Sequence, residues 1–563
     1  MRLLFASVWL ASLLTSVLAG MPDKIYGVNL GSWLVLESWM LPQGWLDMGG
    51  QSCQNCQDCI ATEHAFAKAY PETVDEKFAQ HWETWFTQDH VSELKAAGIN
   101  TVRIPLGYWI IEALVDPSHE AYPKGGLKYL RQGLGWLKDA GISVILDHHA
   151  LPGVQSANQQ FTGNCTDTPQ FYTPYNYHRA LVWTSVMTAL THMDPNFGSV
   201  FSIEAVNEPT MNATQTPGYG DFQKNFVQVV RTIELIIGIP GIDLNLGLNP
   251  DADILGLGLG TNFTAALGSV ADAAAAALNP EVQLALADAV PIILEIATEC
   301  GLESIFTLLD FMDTKRDPIV TSFMDVNWQY NNPSNPADAK IGPQGYDNHL
   351  YYSFGGVADS NPEAYLISIC NLNRIQNDAK LGNTPLWFGE WGLPTQFNAT
   401  DAFLYKWADA QKYAYSQGAG WIFWNFKTEI SALTNGTSLA RQWSYLEALK
   451  MGFLTQNPAQ LNDADVCKPY IGKTYTSTTM NAVLTSAAST STGPAAPAAT
   501  TAVTATAADK TTGSESSGAP QNTGSAPTET SANGTLPTGT PLTKAPKMRK
   551  ALQAHRHSGG HYF

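Results

Sequence analysis

The sequence predicts an α/β protein built as a (β/α)8 barrel, with a large helical insertion and a disordered Ser/Thr-rich C-terminal tail. Three observations predict it. Short β-rich runs alternate with longer helical patterns through most of residues 20–475, eight such runs can be read in order, and two of them stop abruptly at an acid, Glu208 and Glu390. An apolar run of strand length that ends at an acid reads as a buried strand whose C-terminal end opens into a pocket. A doubly wound open sheet is the competing topology, but no Gly-rich phosphate loop follows any run.

The strands are expected at 26–30, 100–105, 143–147, 200–207, 319–327, 346–351, 386–390 and 420–425, with helical patterns such as 87–97, 127–140, 177–191 and 402–416 between them. Strand–helix alternation of this kind builds a parallel sheet. Residues 233–309 break the alternation: they are rich in Leu, Ala, Gly and Ile, and 271–278 is almost pure Ala. Pro, Asn and Asp interrupt the stretch too often for a membrane span. It reads as a helical insertion over one edge of the barrel, serving as packing, a lid or a subunit contact.

Residues 1–19 carry Arg2, an apolar stretch and Val17-Leu18-Ala19, the pattern of a secretory signal peptide. Asn-X-Ser/Thr sequons at Asn164, Asn212, Asn262, Asn398, Asn435 and Asn533 fit an exported glycoprotein. Residues 476–563 form the tail; to about residue 541 it is Ser, Thr, Ala, Pro and Gly, too poor in large apolar groups to offset the entropy of ordering. No apolar stretch follows it, so no lipid anchor is expected. The seven cysteines (53, 56, 59, 165, 300, 370 and 467) then belong to an oxidising compartment. Cys53, Cys56 and Cys59 lack a compact fourth metal ligand, so disulfides are expected, with connectivity open and one thiol left over. A formal net charge of −19 argues against nucleic acid or an anionic membrane surface as partner.

In a parallel barrel the strand ends converge on one face, where barrel enzymes keep their chemistry. Two carboxylates across such a face are what cleavage of a glycosidic bond needs, one to donate a proton and one to attack the sugar. Either acid alone is equally readable as a solvated group at a strand end. The 16 Trp and the 10% aromatic content supply flat rings of the kind that pack against a sugar.

The residues around the two acids settle the reading into a resemblance. The blocks 27–37 (GVNLGSWLVLE), 98–109 (GINTVRIPLGYW), 147–155 (DHHALPGVQ), 204–209 (EAVNEP), 347–351 (DNHLY), 388–391 (FGEW) and 420–429 (GWIFWNFKTE) fall in order at expected strands or strand ends. Together they resemble glycoside hydrolase family 5, most closely its fungal exo-β-1,3-glucanase branch, over most of 25–445 with 233–309 outside. The resemblance implies that Glu208 is the general acid/base and Glu390 the nucleophile. Glu208 must hold a proton before attack, which burial beside a second carboxylate favours, while Arg103 at the end of the second strand would keep Glu390 ionised. It also implies that Asn207 contacts the sugar 2-hydroxyl, Tyr351 donates to Glu390, His349 bridges toward Glu208, His149 meets a sugar hydroxyl, and Trp424 forms the floor. Asn29, Trp33 and Glu37 are its candidates for gripping the terminal sugar. Asp147, His148 and His149 suggest zinc at first sight, but adjacent strand residues point to opposite faces, and no metal or organic cofactor is expected.

Ser32, Ser38, Ser156 and Leu350 depart from the branch's usual residues in loops facing substrate. The function implied is a secreted retaining hydrolase of cell-wall β-glucan, acting as an exo-β-1,3-glucanase that releases glucose. The alternatives are endo-β-1,6- or endo-β-1,3-cleavage, transglycosylation, or a non-enzymatic glucan-binding or wall-structural role. A monomer, associated with the wall through its glycosylated tail, is the expected form.

Overall fold

Eight parallel strands close a barrel in strict sequence order: β1 (Ile25–Asn29), β2 (Thr101–Gly107), β3 (Ser143–Ala150), β4 (Val200–Glu204), β5 (Val320–Met324), β6 (Gln344–His349), β7 (Leu386–Glu390) and β8 (Gly420–Phe423), with β8 pairing back onto β1. The structure is a computed structural model describing residues 20–237, 239, 278–302, 317–326, 328 and 335–475. The expected signal peptide and the tail from residue 476 lie outside these residues, as do Asn262 and Asn533.

Each expected strand is present, and helices flank them on the outside, among them Gln88–Ala96, Gly126–Ala140, Pro174–Met193 and Asp401–Tyr415. The sequence explains their ends. Thr173 and Thr400 cap the last two by accepting from Asn176 N and Phe403 N, and Gly141 closes Gly126–Ala140 at φ +67°, a left-handed angle that glycine adopts without a β-carbon clash.

Inside the ring, side chains form layers. Ile25, Ile145, Phe201, Val320, Trp387 and Ile422 make an apolar plug at the N-terminal end of the strands. Toward the C-terminal end the inward positions turn polar, with Asn29, Arg103, Asp147, Glu204, Asp347 and Glu390 all buried. This division leaves chemistry only at the end where barrel sites are built.

Three expectations need correction. β4 stops at Glu204 rather than residue 207, so Glu208 lies in the loop beyond the strand. β2 runs on to Gly107, which puts Arg103 inside the barrel wall rather than at a strand end. The segment 233–309 does not begin a new element: Ile233–Ile236 closes the barrel helix Tyr219–Ile236. Its apolar face simply continues, which made the boundary look earlier. Within the described part of the insertion, helix Pro280–Glu299 packs on Pro174–Met193 and Tyr219–Ile236, with Asn225 donating to Glu281 at 2.9 Å and His178 3.0 Å from Asp288. Residues 240–277 and 303–316 lie outside the described residues.

The cysteines pair as Cys53–Cys59, Cys56–Cys165 and Cys370–Cys467, leaving Cys300 as the free thiol. The second pair ties the long connection after β1 to the loop after β3. Among the described residues no helix is long and apolar enough to cross a membrane.

Candidate active site

The arrangement is built around Arg103. Its guanidinium lies 2.9 Å from Glu204, 3.0 Å from Asp147, 3.0 Å from Glu390 and 3.5 Å from Asp347, and it also donates to Asn207 Oδ1 at 2.8 Å and Asn29 Oδ1 at 3.2 Å. A planar fork of donors is the side chain suited to so many acceptors at once. Gly389 is needed for this packing. A β-carbon there would overlap the Asp347 carboxylate, which instead accepts from Gly389 N at 2.6 Å.

Glu390 ends β7, in register with His349 at the end of β6. Its carboxylate accepts from Arg103 and, at 3.0 Å, from Tyr351. Glu208 has φ +41°, a left-handed angle unusual for a residue with a side chain. Its neighbours hold the turn in place: Ser156 Oγ donates to Glu208 O, Gln155 Nε2 to Asn207 O at 3.0 Å, and Trp328 Nε1 to Pro209 O at 2.9 Å. So turned, Glu208 meets His349 Nδ1 at 2.7 Å. An oxygen of Glu208, a nitrogen of His349 and an oxygen of Glu390 lie within 4.8 Å of one another.

These groups open into a cavity of about 230 Å3 that also contains Glu37, Trp39, His149 and Trp424. Trp424 stacks nearly parallel to His149 at 5.6 Å, while Trp39 and Trp443 meet edge to face at 5.2 Å. His149 Nδ1 is bound to Asp147 at 2.5 Å, which leaves its Nε2 without a protein partner; Asn207 Nδ2 is likewise buried and unpartnered. His148 faces away and stacks on Trp183 at 3.9 Å, as alternation along a strand requires.

The acids outnumber the cations in this water-poor space, and the titration follows. Burial pushes Asp147 up to about 7 and Glu204 up to about 8, against the pull of Arg103. Burial likewise pushes Glu390 up to about 8, opposed by His349 and Arg103 and reinforced by Glu208. Arg103 and His349 thus pull Glu390 toward its ionised form, while burial pushes the other way. His349 is lowered by burial but raised more by Glu390 and Asp347, ending well above the usual range for histidine. Glu37, which accepts from Trp39 Nε1 at 2.9 Å, is pushed up to about 8, mainly by burial. Two triads, Glu204–Asp347–His349 and Glu208–His349–Glu390, bring ligand atoms together, but Arg103 already supplies a cation to an acid of each.

Ten of the eleven sequence-predicted site residues surround or brace this cavity. Asn29 braces from below: it is fully buried and donates to Gly389 O at 2.8 Å. Trp33 is the exception. The chain turns at Ser32, φ +57°, and sends Trp33 outward into the helix layer, where its indole donates to Trp82 O at 2.9 Å and packs 4.8 Å from Phe86. Glu204, Gln155, Trp39, Trp328 and Trp443 were missed. Asp147 and Asp347 could have been found by stepping two residues back from His149 and His349 on the same strand face.

Acids paired across an aromatic-floored cavity at the C-terminal mouth of a closed parallel barrel define a barrel glycosidase, an enzyme hydrolysing glycosidic bonds. The chain matches the cellulase family, glycosyl hydrolase family 5, over residues 67–429, and it belongs to that family. It is 28% identical over 456 residues to glucan endo-1,6-beta-glucosidase B of Emericella nidulans, covering 79% of this chain and 88% of that one. To the probable glucan 1,3-beta-glucosidase A of Aspergillus fumigatus it is 31% identical over 215 residues, 37% of this chain and 47% of the other. Among solved structures, rutinosidase from Aspergillus niger aligns with a TM-score of 0.49 at 18% identity, over 77% of this chain and 99% of that one.

Proposed function

We propose that this chain is an exported, retaining β-glucanase that cleaves β-1,6-linked glucan within the chain. The observation supporting the mechanism is that one oxygen of Glu208 lies within 4.8 Å of one oxygen of Glu390, with His349 beside both. Retaining enzymes hold their carboxyl groups about 5–5.5 Å apart, and inverting ones about 6.5–9.5 Å, to make room for a water. Glu390 attacks the anomeric carbon, and Glu208 gives its proton to the leaving oxygen. Glu208 then takes a proton from water, which releases the sugar from Glu390. Exposure of the side chains agrees with this division, 17% for Glu208 against 7% for Glu390, since the proton donor must face the leaving group and then water. The free Asn207 Nδ2 suits the sugar 2-hydroxyl, and the free His149 Nε2 a neighbouring one. Trp424 supplies the floor.

The linkage rests on relatives. Those aligned over most of both chains carry the endo-1,6 name, whereas the 1,3-beta-glucosidase covers less than half of either. Exo-β-1,3 action, the expectation from sequence, therefore becomes the second reading, supported by that 31% identity. Export is supported by the three disulfide pairs. Timed product sizing on pustulan and laminarin tests the proposal. Mixed β-1,6 oligosaccharides early in pustulan digestion are expected; glucose alone from laminarin would replace it with the exo reading, and no cleavage of either would refute both.

A further inference from the structure

Trp33 leads to a second aromatic cavity. On the outer wall of the barrel, helices Val74–Trp85, Gln88–Ala96 and Gly126–Ala140 enclose a space of about 300 Å3, within the range of ligand sites. Its floor is Trp33, Trp82 and Phe86, all buried, and its wall is the half-buried pair Tyr129 and Trp136. Trp82 and Tyr129 lie 5.6 Å apart, and Phe86 and Trp136 6.4 Å apart. The rim is polar and exposed, with Glu83, Asp89 and Gln132.

We infer that this cavity is a second carbohydrate site, which holds a β-glucan chain on the enzyme away from the catalytic cavity. The half-buried rings of Tyr129 and Trp136 offer the apolar surface that a pyranose face takes, while carboxylate and amide groups at the edge take its hydroxyls. Two acids and no cation at the rim disfavour an anionic ligand. None of these side chains takes part in the catalytic arrangement, so the site acts by tethering: a polymer bound at one site raises its own concentration at the other. Short oligosaccharides, unable to span both, gain nothing. The choice of β-glucan as ligand rests on the proposed function.

The test compares wild type with Trp136→Ala and Tyr129→Ala on pustulan and on a short soluble β-1,6 gluco-oligosaccharide. The expected result is a loss of about tenfold in kcat/KM on the polymer, equivalent to about 1.4 kcal/mol, with the oligosaccharide rate and Tm unchanged, and with partial recovery in Trp136→Phe. Weaker retardation of the Ala variants by pustulan in native gels is expected alongside. Equal rates on the polymer would overturn the inference, as would an equal loss on both substrates. Failure of the wild type to cleave either β-1,6 substrate would instead count against the proposed function.

Discussion

Replacing Arg103 with Met would leave Asp147, Glu204, Asp347 and Glu390 crowded together with His349 as their nearest remaining cation. Removing one partner of a buried ion pair typically costs about 3–5 kcal/mol, and that cost should appear in full above about pH 8, where Asp147, Glu204 and Glu390 ionise. Chemical denaturation should show a loss of that size; an unchanged midpoint would mean that the acids are held neutral without it. The two acids facing the sugar should separate kinetically. Glu390→Gln should lower kcat by about 10^3-fold or more with the fold retained, since no nucleophile remains. Glu208→Gln should cost about 10^2–10^4-fold, least with an activated leaving group that needs no proton. If the leaving group made no difference, Glu208 would not be the proton donor.

Among the elements, the disulfides offer the clearest contrast. Cys370 ends helix Pro362–Cys370 and is joined to Cys467 across 97 residues, whereas Cys53 and Cys59 are only 6 apart. Cross-linking restricts the unfolded chain more when the closed loop is longer. The double variant Cys370→Ser/Cys467→Ser should therefore lose about 2–5 kcal/mol, and Cys53→Ser/Cys59→Ser less; the reverse order in a denaturation series would contradict this. These pairings were not legible in the sequence, because spacing along the chain says nothing of which loops meet. The strands were legible, since a parallel strand covered on both sides reads as an unbroken apolar run. What went astray was direction and ending. A tryptophan in a loop after a strand carries no mark of which way it points, so the sequence does not show that Trp33 turns outward into the helix layer. Glu208 reads as a strand end in the sequence because its apolar approach, Ala205 and Val206, stays buried after the ladder has stopped.

At the scale of the whole molecule, the buried acids set how stability depends on pH. Glu37, Glu63, Glu204 and Glu390 are pushed up to about 8 and Asp147 to about 7, with burial the largest cause in each. A raised carboxyl pKa means that the native state binds more protons than the unfolded chain, so its stability is full below about pH 4 and is lost as pH climbs through 7–8. The buried His64 and His81 and the half-buried His90 are pushed down to about 4 by desolvation and act in the opposite sense, but only below about pH 6.5. Lys412 and Lys427, lowered by burial to about 8, matter only above that pH. Between pH 6.5 and 8 the carboxyl groups prevail, and Tm should fall across that interval. A flat or rising Tm would show that these acids are already ionised in the folded protein.

The guanidinium of Arg103 also constrains how the chain can be divided. Its acidic partners come from both sides of a cut between β4 and β6: Asp147 and Glu204 precede the midpoint, whereas Asp347 and Glu390 follow it. A fragment ending after β4 would keep the cation with half its counter-charges, and the remainder would keep the other half with none. Neither piece is electrically complete, so the two should recognise each other when expressed apart, and duplication of either half alone would not yield a working ring.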